Sequence, residues 1–351
     1  CHGRRQRLLQ ALLKADCLLL HEEKEGSKMR KPIVVVDLFC GMGGFSQGAI
    51  DAGAEVILSV DAWDEACDVH EKNHPGVRID CIQLGNPEWY KGLLRFLEPY
   101  RRTHHIHLHG SPPCQALSNA SSRNAEEGMP LVIWFLNLVK SVQPDSWSME
   151  NVIPVRKRLP EGTPSVTLNS ADFGVPQTRR RCYAGSGWVA EPTHTKEEWV
   201  SVIQALPHLI DLLPVSSMTE QYKGASKNKP YPTVTSHSPK QLRLVMDSGR
   251  ASAASTGISK DGKKAGGSGP LFRDLDQPSY TQMTSARRLM FKTDEPKKIR
   301  SLTLEETLTL QGFSPDYDLS PARTMKSRWT MVGNAVPPPV AEAVIRGIIH
   351  D

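Results

Sequence analysis

Three short motifs carry the side chains best able to do chemistry. Cys114 stands in Ser111-Pro-Pro-Cys-Gln-Ala-Leu-Ser118, directly after an apolar run and two prolines. A thiolate is the strongest common side-chain nucleophile, and a cation or helix end beside it lowers its pKa. A lone cysteine is more often an inert packed thiol, so the reading depends on partners. Glu150, in Glu150-Asn151-Val152, closes the next apolar run and offers a carboxyl group for proton exchange. Arg179 and Arg181, in Gln177-Thr-Arg-Arg-Arg181, supply a dense cationic cluster before a further run. Each of these two motifs is unremarkable by itself; their order after the cysteine motif makes the set specific.

The third motif is Asp37-Leu-Phe-Cys-Gly-Met-Gly-Gly44, which leads from a strand into a helix. Glycine allows a close backbone approach, and a helix N-terminus presents free N–H groups to an anion. Asp61 ends the next strand, where an acid accepts hydrogen bonds from ribose hydroxyls. Dinucleotides and S-adenosylmethionine both suit that logic, and some such turns only pack a helix on a sheet.

The elements that must position these residues alternate between strand and helix. IVVVDLF from Ile33 is a continuous apolar run of buried parallel-strand type. VILSVD follows, then a helix from Asp64 to about His74, a strand HIHLHG, a helix PLVIWFLNLVKSVQP, a strand SWSMEN and a strand near RCYAGS. The pattern predicts a doubly wound, mostly parallel α/β sheet of Rossmann type, with ligands outside the carboxyl ends of its strands. After Trp188 the alternation stops. Residues 249–270 are a low-complexity Gly, Ser and Lys stretch, and PYPTVTS and PSYTQMTS form a faint repeat. An apolar helix pattern returns at LTLEETLTLQGF, before the closing GNAVPPPVAEAVIRGIIH.

A length of 351 residues suits two domains. The expected division is an N-terminal appendage over 1–28, helical from Arg7 to Leu20; a catalytic and cofactor-binding domain over 29–190; a smaller, irregular domain over 191–319; and a segment over 320–351 that returns to the first domain. The net charge is only +5, yet between Lys223 and Arg300 16 lysines and arginines stand against 6 acids. That asymmetry points to a polyanion-binding face. Seven cysteines without a CxxC pair fit a reducing compartment. The apolar stretch from Leu8 to Leu20 is interrupted by Lys14 and Asp16 and is too short for a membrane span. Neither secretion nor a membrane partner is expected.

Taken in order, DLFCGMGG, SPPCQALS, ENV, DFGVPQTRRR, RSLTLEETLTLQGF and VGNAVPPPVA resemble the DNA cytosine-5 methyltransferases. The resemblance runs from about Val34 to Ile348, apart from the segment between Trp188 and Arg300. It implies methyl transfer from S-adenosylmethionine to carbon 5 of cytosine in duplex DNA, with the target base flipped out. Cys114 would be the nucleophile, Glu150 would bind N3 and the exocyclic amine, and Arg181 with Arg179 would meet the carbonyl oxygen. It assigns Phe39 to the adenine, Gly41, Gly43 and Gly44 together with Asp37 to the loop that approaches the cofactor, Asp61 to the ribose, Asp80 to the adenine amino group and Asn334 to the closing wall. Gln115 and Ser118 fall in a loop expected to close over the base. Arg243, Arg287 and Arg288 are candidates for reading DNA in the basic segment.

Two departures from the family pattern stand out. Only Ile153 to Thr167 separates Val152 from Leu168, where the family has room for a helix and a further strand, so a thinner sheet is one expectation. Met331 replaces the more usual glutamine before the closing GN. His105, His107 and His109 share one face of their strand by period two, but no nearby Cys or His completes a metal set, and no metal is expected. A tRNA cytosine-5 methyltransferase of the same fold and a catalytically silent nucleic-acid-binding relative are the rival readings. The expected enzyme acts as a monomer on DNA, in the cytoplasm of a prokaryotic or viral host or wherever its DNA lies. A restriction-modification or orphan methylase suits it better than an epigenetic enzyme.

Overall fold

The computed structural model describes residues 30–113, 128–212, 243–246, 271–274, 278–280, 289–292 and 300–349. The amphipathic N-terminal segment, Cys114, Gln115, Ser118, Arg287 and Arg288 lie outside these residues, and of Arg243 only the backbone is described.

Seven strands form the main sheet: β1 (Ile33–Leu38), β2 (Glu55–Asp61), β3 (Ile79–Cys81), β4 (His105–Gly110), β5 (Ser146–Asn151), β6 (Ser165–Asn169) and β8 (Arg180–Ser186). Their order is β3-β2-β1-β4-β5-β8-β6, with β8 antiparallel to both of its neighbours and the other pairings parallel. The middle of β1 explains its sequence: Val34, Val35, Val36 and Leu38 are wholly buried because helices cover both faces. The short stretch after Val152 does not leave the sheet without an edge. It forms a 3-10 helix over Ile153–Arg158, and β6 then pairs with β8 as the outer strand.

On one face, α1 (Gly44–Asp51) packs against α8 (Pro338–Arg346) through Phe45, Ala49, Val340, Ala341 and Val344. On the other face, α3 (Trp89–Leu97) and α4 (Met129–Val142) bury Leu93, Leu97, Phe135 and Leu138. A third cluster joins Met42 and α2 (Asp64–Asn73) to α6 (Leu304–Gln311) and α7 (Met325–Asn334) through Val69, Leu308, Phe313 and Val332. From Leu304 onward the chain packs against Met42 and α2 in this cluster.

The basic segment is not wholly irregular. Strands β9 (Arg243–Met246), β10 (Leu271–Asp274), β12 (Leu289–Lys292) and β13 (Arg300–Ser301) form an antiparallel sheet of order β10-β9-β12-β13. A two-residue strand, β11 (Ser279–Tyr280), pairs in parallel with β7 (Gln177–Thr178) and ties this segment to the arginine cluster.

Candidate active site

The strand order reverses between β1 and β4, and at such a switch point the loops leaving the two strands diverge and open a crevice. A cavity of about 310 Å³ lies there, reached by Phe39 and Gly41 after β1, Asp61 at the end of β2, Ser111 to Pro113 after β4, Glu150 on β5 and Asn334 at the end of α7. All of these except Asn334 meet on one wall because each directly follows or ends a strand of the same sheet; Asn334 closes it from a helix end.

The loop after β1 is shaped by unusual backbone angles. Phe39 has φ 57° and Gly41 φ 53°, so a bulky side chain is held in the left-handed region, which costs roughly 1–2 kcal/mol. The turn is fastened by Asp61: its Oδ2 accepts the Gly41 N–H at 2.8 Å, and its Oδ1 accepts the Trp63 N–H at 2.9 Å. A carboxylate has about four lone-pair sites, so Asp61 keeps capacity for further donors.

Asp37 is completely buried and also lines the cavity. Its Oδ2 accepts from Ser46 Oγ at 2.7 Å, whereas Oδ1 has no hydrogen-bond partner. Burial raises its pKa to about 7, against the opposing effect of the Ser46 hydrogen bonds. An orphaned acceptor on a ligand-sized cavity is a place for a donor or cation from outside the protein.

Gly43 and Gly44 do not line the cavity. Their role is close packing: a Cβ on Gly43 would lie 2.7 Å from the His70 ring, and one on Gly44 would lie 2.1 Å from the Val336 carbonyl oxygen. Asp80 is likewise elsewhere, held by both Nε and Nη2 of Arg78 at 2.9 Å. Gln83 and Leu84, just beyond β3, line the cavity.

Glu150 is 8% exposed, and Arg181 crosses from β8 to bring Nε within 3.1 Å of its Oε1. The approach is that of an ion pair without an aligned hydrogen bond. Arg179 diverges from Arg181: it is 2% exposed and donates from Nη1 to the Gly333 carbonyl at 3.1 Å, bracing the turn that carries Asn334. Two residues given no part in the sequence reading also shape the site. Asn151 Nδ2 donates to the Pro112 carbonyl at 3.1 Å, pinning the strand-end prolines two residues before Cys114. Gln177 Nε2 donates to Leu310 O and Gln311 Oε1, joining β7 to α6. Both lie inside motifs already noted, Asn151 in Glu150-Asn151-Val152 and Gln177 at the head of Gln177-Thr-Arg-Arg-Arg181, and that membership is the signal that could have flagged them.

The lining suits a nucleoside with a cationic tail. Phe39 offers an apolar face and Asp61 spare acceptor capacity for hydroxyls, while the unpaired Asp37 oxygen and the Asn334 amide can meet an amino acid's charged groups. S-adenosylmethionine has each of these parts, so the residues present fit it.

A doubly wound sheet with such a crevice defines a nucleoside-binding α/β class. Within it, residues 33–159 and 162–350 match the family described as C-5 cytosine-specific DNA methylase. The chain belongs to that family, which makes it by class a DNA (cytosine-5-)-methyltransferase. It is 27% identical over 352 residues to the type II methyltransferase M1.HphI of Haemophilus parahaemolyticus, covering 90% of this chain and 87% of that one. It is 26% identical over 351 residues to the type II methyltransferase M.MthTI of Methanothermobacter thermautotrophicus, covering 90% and 97%. Among solved structures, the S. pombe Dnmt2 methyltransferase shares the fold with a TM-score of 0.53 and 16% identity over 88% of this chain and 96% of that chain. Among the described residues, no helix is long and apolar enough to cross a membrane.

Proposed function

We propose that the protein methylates carbon 5 of cytosine in duplex DNA, on a base flipped out of the helix, through a covalent adduct at Cys114. The observation that carries this reading is that Glu150, Asp61, Phe39 and Asn334 wall one cavity at the point where Pro112 and Pro113 lead into Cys114.

Phe39, Asp61, Asp37 and Asn334 would hold the cofactor, with Gly41 giving its backbone room. Bound there, S-adenosylmethionine supplies an electrophilic methyl group. Carbon 5 of cytosine is a weak nucleophile until a thiolate adds at carbon 6, so Cys114 forms the sulfur–carbon bond that makes carbon 5 enamine-like. Glu150 hydrogen-bonds N3 and the exocyclic amine and favours protonation at N3 as the thiolate adds. Arg181 lies against Glu150 and would stabilise negative charge growing on the carbonyl oxygen. Arg179 acts one step removed, by fixing Gly333 and hence Asn334. Loss of the carbon 5 proton then breaks the sulfur–carbon bond and restores the aromatic ring. Flipping costs roughly a few kcal/mol of stacking and pairing, which phosphate contacts from the basic segment 223–300 would offset.

Nucleoside mass spectrometry of unmethylated duplex DNA, incubated with protein and S-adenosylmethionine, tests the reading. New 5-methylcytosine that is absent with Cys114→Ala supports it. Methylation of tRNA alone overturns the duplex assignment, and no methylated base on either polymer overturns the enzyme.

A further inference from the structure

The three histidines of β4 do not stand alone. Parallel pairing sets His107 opposite Ser146 and His109 opposite Ser148, and their side chains interleave in one unbroken ladder. His105 Nε2 meets Ser146 Oγ at 2.8 Å, and the same oxygen meets His107 Nδ1 at 2.8 Å. His107 Nε2 meets Ser148 Oγ at 2.9 Å, and that oxygen meets His109 Nδ1 at 2.8 Å. His109 Nε2 then meets Ser111 Oγ at 2.9 Å. The ladder starts inside the sheet and ends on a side chain that lines the active-site cavity.

Hydrogen counting gives this ladder a single direction. A neutral imidazole has one N–H and one bare nitrogen, and a serine hydroxyl has one hydrogen. Ser146 and Ser148 are fully buried and bond only to the histidines, so each gives its hydrogen to one ring and accepts from the other. If Ser146 donates to His107 Nδ1, then His107 must donate from Nε2, Ser148 must donate to His109, and His109 must donate to Ser111. Reversing any link reverses all of them. His107 and His109 are held neutral, since burial depresses both pKa values, to about 3 for His107. The Phe45 ring lies parallel to His109, with an interplanar angle of 4° and centroids 3.4 Å apart, and prevents the imidazole from turning over.

Of the two directions, the one ending at Ser111 places the hydrogen on Nε2 of all three rings, the tautomer an isolated histidine prefers. In that state Ser111 Oγ accepts from His109 and its own hydrogen is left for the cavity. We infer that the Ser–His ladder through the sheet fixes Ser111 as a hydrogen-bond donor to an acceptor atom of the S-adenosylmethionine in the cavity. This rests on the cofactor reading proposed above, while the direction of the ladder stands without it. Ser111 is then a binding residue, and His109, Ser148, His107 and Ser146 position it from up to four links away.

The test pairs histidine NMR with binding to the full-length protein. In ligand-free protein labelled with 15N, two-bond nitrogen–proton correlations should show His107 and His109 as Nε2–H tautomers. Nδ1–H signals, or a mixture, would overturn the inferred direction. Calorimetry with S-adenosylhomocysteine should then give a dissociation constant about 5- to 10-fold weaker for Ser111→Ala, the effect of one hydrogen bond, with the histidine signals of the other rungs unchanged. Unaltered affinity would overturn the donor role. Ser148→Ala should release His109 into a tautomer mixture and weaken binding although it never touches the cavity; His109 keeping a pure Nε2–H signal in that variant would overturn the coupling. If the wild-type protein bound no S-adenosylhomocysteine yet showed pure Nε2–H signals, the cofactor reading and Ser111's assigned role would fall while the ladder's direction held.

Discussion

Arg181 reaches from β8 to β5 and holds its Nε 3.1 Å from Glu150 Oε1, at the wall of the cavity and with the carboxylate 8% exposed. A nearly buried carboxylate that loses its cation is left uncompensated. The pair therefore joins stability to chemistry. Arg181→Ala should lower the rate of methyl transfer by about 10²- to 10³-fold, the usual effect of removing one preorganised stabilising group. Tritium transfer from labelled S-adenosylmethionine at saturating DNA measures it. Retention of more than half the rate would remove Arg181 from the reaction.

The glycine-rich turn separates two reasons for glycine. Gly41 has φ 53° but nothing within 4 Å of an added Cβ, whereas Gly44 would drive a Cβ to 2.1 Å from the Val336 oxygen. Gly41→Ala should cost about 1–2 kcal/mol, the left-handed backbone penalty alone. Gly44→Ala should cost clearly more, because α1 must move off the chain leading into α8, and overpacking against backbone lies at or beyond the upper end of the usual cost of about 1–3 kcal/mol. Urea unfolding of the two variants gives both numbers, and equal costs would contradict the packing role of Gly44.

Asp37 makes stability depend on pH in an unusual sense. Its folded pKa of about 7 lies above the ordinary 3.8, so between those values the folded state holds a proton that the unfolded state has released. Stability from this group is present at low pH and falls as pH rises from about 4 to 7. Asp37→Asn removes that term and should raise stability at pH 8 relative to wild type, by up to roughly 4 kcal/mol for a shift of about three units. Thermal melts across pH 5 to 8 test the sign; a variant less stable than wild type at pH 8 would show that the Asp37 charge is compensated.

How much was legible in the sequence follows from which residues answer to local rules. The strand ends, the glycine turn, Asp61 and Glu150 could be placed because each is fixed by hydrophobic period and by what immediately follows it. Asp80 could be placed only on its strand: its two hydrogen bonds to Arg78, which lies just before β3, are contacts that no motif encodes. Arg179 and Arg181 look equivalent in a run of arginines, yet one is spent on a carbonyl of α7 and the other on Glu150. The histidine ladder shows the same limit. Period two put His105, His107 and His109 on one face, but their partners Ser146 and Ser148 arrive from a strand about 40 residues away, and only strand pairing reveals them.

Buried histidines give the protein an acid limit well above the carboxylate range. His70, His107 and His109 are buried and neutral, with pKa values lowered by burial, to about 3 for His70 and His107. An unfolded chain takes up a proton at each near pH 6.5, so the stabilisation they afford is complete above that value and drains away as pH falls toward their folded values. Asp37 opposes one of the three over the range from 7 to 3.8. His74, also lowered by burial, adds to the uptake, so unfolding should take up at least about two protons between pH 6 and 4, or roughly 3 kcal/mol of stability lost per pH unit. His107→Gln should reduce that slope by about one proton while also lowering stability at pH 8, because the ladder is broken. Urea unfolding at half-unit steps from pH 8 to 4 reads both effects. A flat profile down to pH 5 would mean that the histidines are already charged in the folded protein, and would remove the physical basis for a neutral, single-direction ladder.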